Sequence, residues 1–213
     1  MLAILPIRAG SQRVKNKNII SINGKELYTY IVETLKNVEQ IDKIIINTDY
    51  ELIRQNYKND PKIYVMSRDN DLKGNCNINL VIEQVLNSFK GENFIQTHAT
   101  NPLLQSKTIS DGIDFFENHK NNYDSLFSVT KIQKRYWTDQ TKPLNHSFLD
   151  EPTTQNLDAL YEENSCMYIF SRCSFVKRLN RIGNRPYMFN LSKIEAIDVD
   201  DEDDIHIVKK MLS

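Results

Sequence analysis

The feature that most constrains the fold is the repeated succession of a short run of Ile, Val and Leu followed by a segment of helical period. Leu2 to Ile7 reads as a buried first strand. Between Glu26 and Val38 the residues Leu27, Tyr30, Ile31, Leu35 and Val38 recur at spacings of three and four, which predicts a helix. Ile44 to Asn47 is a second buried strand ending at Thr48 and Asp49, followed by a short helix near Tyr50 to Tyr57 and a strand over Ile63 to Met66. Ile78, Val81, Ile82, Val85, Leu86 and Phe89 form one apolar stripe, and the strand Phe94 to Thr97 comes next. A helix over Thr108 to Glu117 then leads to the strand-like SLFSVT. This order predicts an α/β fold, a mostly parallel sheet with helices on both faces joined by right-handed crossovers.

From Lys131 to Thr154 neither period persists; the stretch is polar, holds two prolines and the only Trp, and reads as an excursion from the sheet, a dimer arm or a lid. The sheet pattern resumes with CMYIF and a short helix near Phe175 to Leu179. KIEAIDVDDEDDIHIVKKML predicts a last strand over Ala196 to Asp200 and a C-terminal helix with Ile205, Val208 and Met211 or Leu212 facing inward. No repeat, low-complexity tract or linker interrupts the 213 residues, so they read as a single domain large enough for its own core.

Twenty-seven Lys and Arg against 28 Asp and Glu leave a formal charge of −1, which excludes the overall basic field of a non-specific nucleic-acid binder. Any basic site is local. No apolar run approaches the ~20 residues of a membrane helix, and the first run lacks the preceding basic region of a signal peptide, so the expectation is a cytoplasmic protein without a membrane partner. Cys76, Cys166 and Cys173 form no CxxC pair, and the four histidines show no HExxH spacing, which argues against a disulfide framework and a histidine-bound metal.

Such a local basic site follows the first strand: Arg8, Arg13, Lys15 and Lys17 lie within ten residues, with Gly10 and Ser11 available for a tight turn. It is either a phosphate seat at the sheet edge or a solvated loop; neither GxxxxGK[ST] nor GxGxxG is present. Near the other end, the period of two in AIDVD puts Asp198 and Asp200 on one side, a pair suited to hard Mg²⁺, whereas Asp201 to Asp204 are explained as cap and first turn of the last helix. FIQTHATNPLL gathers Gln96, Thr97, His98, Thr100 and Asn101, able to orient a ribose or sugar or to cap the next helix. His98 is a catalytic base or a hydrogen-bonded strand-end histidine; Asn164 is a turn residue or a sugar contact.

Taken together, LPIRAGSQRVKNKNI, INTDYELI, SRDNDL, HATNPLL, SCMYIF and AIDVDDEDDI resemble, in order, the signature segments of the acylneuraminate cytidylyltransferases. The resemblance spans nearly the whole chain. It implies a nucleotide-diphospho-sugar transferase type of Rossmann-like α/β fold, CTP and a nine-carbon sugar acid as reactants, CMP-sugar and pyrophosphate as products, and Mg²⁺ as cofactor. It also implies a homodimer whose arm lies within about residues 131–186. By the same resemblance Arg8, Ser11, Lys17 and Asn18 serve the nucleotide and its phosphates, Arg68 the cytidine, and Asp198 with Asp200 the metal. Arg8, Arg13, Lys17 and Asp200 form the implied catalytic set; on the sugar side stand His98, Thr100, Asn101, Gln155 and Asn164.

The chain departs from the family pattern in three places. Gln12 replaces the lysine after the loop serine, with Arg13 beside it, and His98 replaces a glutamine. Glu162 and Glu163 stand where basic or neutral residues are expected, and two acids beside a carboxylate substrate cost binding unless they face away. The missing cation then falls to Arg135 or Arg185. Alternatives are a nucleotidyltransferase for another sugar such as Kdo or for another NTP, and a non-catalytic nucleotide-binding homologue.

Overall fold

In the computed structural model, which describes residues 1–10, 14–147 and 153–213, the strands with the longest apolar runs lie inside the sheet and not at its edges. The elements in chain order are β1 (Leu2–Ile7), the small hairpin β2 (Ser21–Ile22) and β3 (Lys25–Glu26), α1 (Leu27–Lys36), β4 (Lys43–Thr48), α2 (Glu51–Asn56) and β5 (Ile63–Ser67). Then come α3 (Ile78–Ser88), β6 (Asn93–Thr97), α4 (Ser106–His119), β7 (Ser125–Ile132), β8 (Leu160–Ser171), α5 (Arg172–Arg178), β9 (Pro186–Asn190) and α6 (Glu202–Met211). A seven-stranded sheet runs β5-β4-β1-β6-β8-β7-β9, and β8 alone is antiparallel to its neighbours. The expected α/β class with a mostly parallel sheet is the observed one.

Strand parity explains the layers. Ala3, Leu5, Ile7, Ile44, Ile46 and Ile95 point to the face covered by α1, α2 and α4, where they meet Tyr28, Ile31, Ile53, Ile109 and Phe116. Their neighbours Ile4, Ile45 and Phe94 point the other way, onto Ile82, Val85 and Leu86 of α3 and Phe175 of α5. Both faces are buried, so these strands carry continuous apolar runs. α6 packs Val208, Ile205 and Leu212 against Ile22, Leu27 and Val199, with Met211 left exposed. Among the described residues no helix is long and apolar enough to cross a membrane.

One expectation needs correction. Ala196 to Asp200 is not a strand: residues 193–196 form a turn, Ile197 N–H bonds back to Ile194 C=O, and Val199 N–H bonds to Thr100 C=O in the loop after β6. The last strand is β9, parallel to β7, and it occupies the sheet edge that this segment would have needed. Within residues 131–186, β8 and α5 belong to the sheet and its cover. Among the described residues between β7 and β8, a short ribbon forms around the Trp137–Pro143 bridge.

Arg172 ties this half of the protein together. Its Nε donates to Gly91 O at 2.8 Å, Nη1 to Leu86 O at 2.8 Å and Nη2 to Phe89 O, collecting carbonyls at the end of α3. Arg172→Ala is expected to lower unfolding free energy by about 2–4 kcal/mol in urea titrations, since three acceptors lose a charged donor. Arg172→Lys should restore less than half, because a point donor cannot serve three carbonyls.

Candidate active site

The carboxyl ends of β1 and β6 and the loop after β5 open into one cavity of about 580 Å³. Its walls include Arg8, Lys17, Asn18 and Arg68, then Gln96, His98 and Thr100, and finally Arg181, Asp198 and Asp200. Eight of the residues to which the resemblance assigns a role therefore come together: Arg8, Lys17, Asn18, Arg68, His98, Thr100, Asp198 and Asp200. Ser11 and Arg13 lie outside the described residues.

The loop after β1 is shaped by its neighbours. Gly10 takes φ +80°, where a side chain would be strained, and the Ala9 N–H donates to Asp49 Oδ1 at 2.6 Å beyond β4. Asn18 Nδ2 donates to Arg8 O at 3.0 Å and pins the following turn. Arg8 Nη1 donates to Gly74 O at 2.9 Å and to the Asn75 side chain, reaching the loop after β5. Arg68, only 6% exposed, is held by Asn47 through Nε at 2.8 Å and Nη2 at 3.2 Å; burial pulls its pKa down from the ordinary arginine value.

The acidic residues divide as the sequence indicates. Asp201 caps α6 by accepting the N–H groups of Asp203 and Asp204, while Asp204 accepts those of Asp200 and Asp201. Asp200 pairs with Lys17 at 2.9 Å. Asp198 differs: its Oδ1 is buried without a hydrogen-bond partner, and burial raises its pKa against the lowering effect of the Thr100 hydrogen bond. Among the described residues no cluster of three His, Cys, Asp or Glu could enclose a metal. The two carboxylates nevertheless fit Mg²⁺, which usually takes one or two carboxylates and completes its shell with water and substrate phosphates. An orphaned buried carboxylate oxygen is the group such a cation would satisfy.

On the cavity wall His98 is held neutral, its pKa lowered to about 3 by burial, by Arg181 and by Lys17. It is therefore a neutral hydrogen-bonding group at physiological pH. Three sugar-side candidates lie elsewhere. Asn101 is fully buried and donates to Ile197 O at 3.3 Å, and Gln155 is exposed on a single 3₁₀ turn. Asn164 is consumed by the sheet, accepting from Ser128 Oγ and the Cys166 N–H and donating to Thr130 Oγ1.

Neither Arg135 nor Arg185 reaches the cavity wall: both are exposed, and Arg185 Nη1 donates to Asn121 O at 3.0 Å. The cation that does is Arg181, which sequence reasoning passed over. Its loop is fixed by Asp124, whose carboxylate accepts the N–H groups of Asn184 and Arg185, and by Ser125 Oγ, which accepts the Gly183 N–H. A Cβ on Gly183 would collide with that carboxylate, so the loop requires glycine there. The available signal was the turn-rich run NRIGNRP, which offers two arginines without saying which turns inward.

A cationic loop and paired carboxylates at the carboxyl edge of a parallel sheet define an α/β protein of the kind that binds its ligand at that edge. Within that class, the family model described as cytidylyltransferase matches residues 2–197, and the chain belongs to that family. The resemblance read from the motifs is borne out. An N-acylneuraminate cytidylyltransferase of Streptococcus agalactiae is 22% identical over 97% of this chain and 52% of its own length. The chain thus spans about half the length of the streptococcal relatives it matches. A pseudaminic acid cytidylyltransferase of Campylobacter jejuni is 24% identical, over 98% of this chain and 94% of that one. Among solved structures, a CMP:2-keto-3-deoxy-manno-octonic acid synthetase complexed with CTP superposes with TM-score 0.72 at 13% identity, covering 99% and 97% of the two chains. That likeness establishes the shared fold.

Proposed function

We propose that the chain is a CTP-dependent nucleotidyltransferase that activates a nonulosonic sugar acid, giving CMP-sugar and pyrophosphate. The observation that carries this reading is the placement of Arg8, Lys17, Asp198 and Asp200 around one cavity at the strand ends. A sugar hydroxyl attacks the α-phosphorus of CTP and pyrophosphate departs. Arg8 and Lys17 offer cationic donors to the phosphate oxygens, Arg68 sits at the β5 side where the base belongs, and the rigid strand ends hold the reactants in line. Asp198 and Asp200 would hold Mg²⁺, which when bound supplies charge neutralisation at the phosphates. His98 and Thr100 are available to orient the sugar. The reading includes a homodimer, supported by the ribbon around Trp137 and Pro143, which presents Trp137 and Leu144 to solvent.

Pyrophosphate release tests this. The protein is mixed with Mg²⁺, each of the four NTPs, and N-acetylneuraminic, pseudaminic or 2-keto-3-deoxy-manno-octonic acid. Release with CTP and one of these acids is expected. CTP binding without release under every acid would instead support a non-catalytic nucleotide-binding homologue.

A further inference from the structure

Glu163, Tyr168 and Arg181 are linked to one another, yet nucleotide chemistry uses none of them. Residues 163 and 168 of a regular strand fall on opposite faces, because their separation is odd. β8 is not regular: Phe127 of β7 pairs with Tyr168 and Val129 pairs with Glu163, so four residues of β8 lie opposite Ser128 alone. Phe127 and Val129 share a face, and their partners therefore share it too. Ser165 turns the bulge at φ 60°, and the Asn164 side chain closes it through Ser128 and Thr130. The Tyr168 hydroxyl consequently donates to Glu163 Oε1.

On the same face the Arg181 guanidinium lies 3.5 Å above the Tyr168 ring centroid. Its Nη1 donates to Gln96 Oε1, on the residue paired with Tyr168 across the sheet, and stands 3.4 Å from His98 Nε2. Gln96 and His98 are neutral, and among the described residues no carboxylate forms an ion pair with Arg181. A desolvated guanidinium that faces a cavity and has Glu163 near it without an ion pair is an anion site.

Which anion it takes follows from strand order. Arg68 leaves β5 and Arg181 stacks on β8, with β4, β1 and β6 between them, a span of about 19 Å at ~4.8 Å per strand. With the base at Arg68 and the phosphates at Arg8 and Lys17, Arg181 is left for the far reactant. We infer that Arg181 anchors the anionic group of the sugar acceptor and that Glu163, acting through Tyr168, is a positioning residue that holds the guanidinium in place. This rests on the cytidylyltransferase reading above. The Tyr168 bond to a carboxylate enriches the ring and strengthens its hold on the guanidinium. The acidic side chain at this point of β8 thus supports acceptor binding instead of opposing it.

Steady-state kinetics with CTP, Mg²⁺ and the acid turned over by the wild type separates the roles. Arg181→Ala should raise KM for the acid about 10²-fold and leave KM for CTP within about twofold. Glu163→Gln and Tyr168→Phe should each raise KM for the acid about fivefold at nearly constant kcat, and the double variant should be no worse than the poorer single. Glu163→Asp should recover part of the loss, and the carboxamide of the same acid should be used equally poorly by wild type and Arg181→Ala. An unchanged KM for the acid in Arg181→Ala, or a matching rise in KM for CTP, overturns the assignment; Arg181→Lys, with near-ultraviolet dichroism, guards against misfolding. If the wild type uses none of the acids, the cytidylyltransferase reading fails, and calorimetric titration with CTP still decides this one. Equal CTP affinity in wild type and Arg181→Ala keeps the guanidinium off the nucleotide; a tenfold loss places it there.

Discussion

Asp198→Asn is expected to cut turnover about 10²- to 10³-fold and at the same time to raise the melting temperature. Both effects come from one oxygen. Asp198 Oδ1 is buried without a donor, so the ionised carboxylate lacks the solvation it has in the unfolded chain, and its folded pKa is raised. The folded state then binds the proton more tightly than the unfolded state, whose carboxyl titrates near about 3.9. Between those two values stability falls as pH rises, and above the folded value the burden is fully present. Asparagine removes the charge and with it the burden. The stability gain should therefore be largest at pH 7.5 and shrink as pH is lowered toward about 4, as read by calorimetry without Mg²⁺. Added Mg²⁺ should stabilise the wild type more than the variant. A lower melting temperature together with unchanged turnover would show that Asp198 is only a structural residue.

What the sequence revealed, and what it withheld, follows the range of the interactions. β1, β4 and β6 are legible because a strand buried on both faces carries an unbroken apolar run on consecutive positions, here ahead of a polar carboxyl end in β4 and β6. β9 was not, since YMFN is short, follows a turn-rich loop and leaves Met188 exposed at the sheet edge. The pairing of Asp198 with Asp200 survives the loss of its strand, because an extended backbone alternates its side chains whether or not a neighbour is hydrogen-bonded to it. Asn164 was visible as a polar residue at a strand start, but its use depends on a bulge set by Ser128 and Thr130, 36 and 34 residues away. Arg181 was invisible for the same reason: its partner Gln96 is 85 residues distant, and the loop that carries it is anchored by Ser125, 58 residues from Gly183. Helical and strand periods report local order. Contacts that aim a side chain into a cavity leave no period at all.

Arg8→Ala should lower kcat/KM for CTP by about 10³-fold and leave the fold intact. Arg8 follows the last residue of β1, a strand paired on both edges, by β4 and β6, so its backbone is among the best fixed at the cavity. Its guanidinium is steadied by Gly74 O and Asn75, which are uncharged acceptors, and among the described residues no carboxylate forms an ion pair with it. Lys17 is different, because Asp200 already answers part of its charge. Arg8 therefore presents an unneutralised, pre-positioned cation to whatever anion enters, and the free energy of ordering it is spent before the substrate arrives. Because its two hydrogen bonds are exposed, losing them should change the urea midpoint little. Arg8→Lys should regain only part of the activity: a single ammonium cannot keep hold of the loop after β5 and also meet a phosphate side-on. Raising the salt concentration should narrow the gap between wild type and Arg8→Ala, since screening weakens the interaction the arginine supplies. A variant that binds and turns over CTP like the wild type would remove Arg8 from the nucleotide site and leave Lys17, paired with Asp200, as the described cation of the loop after β1 that meets the phosphates.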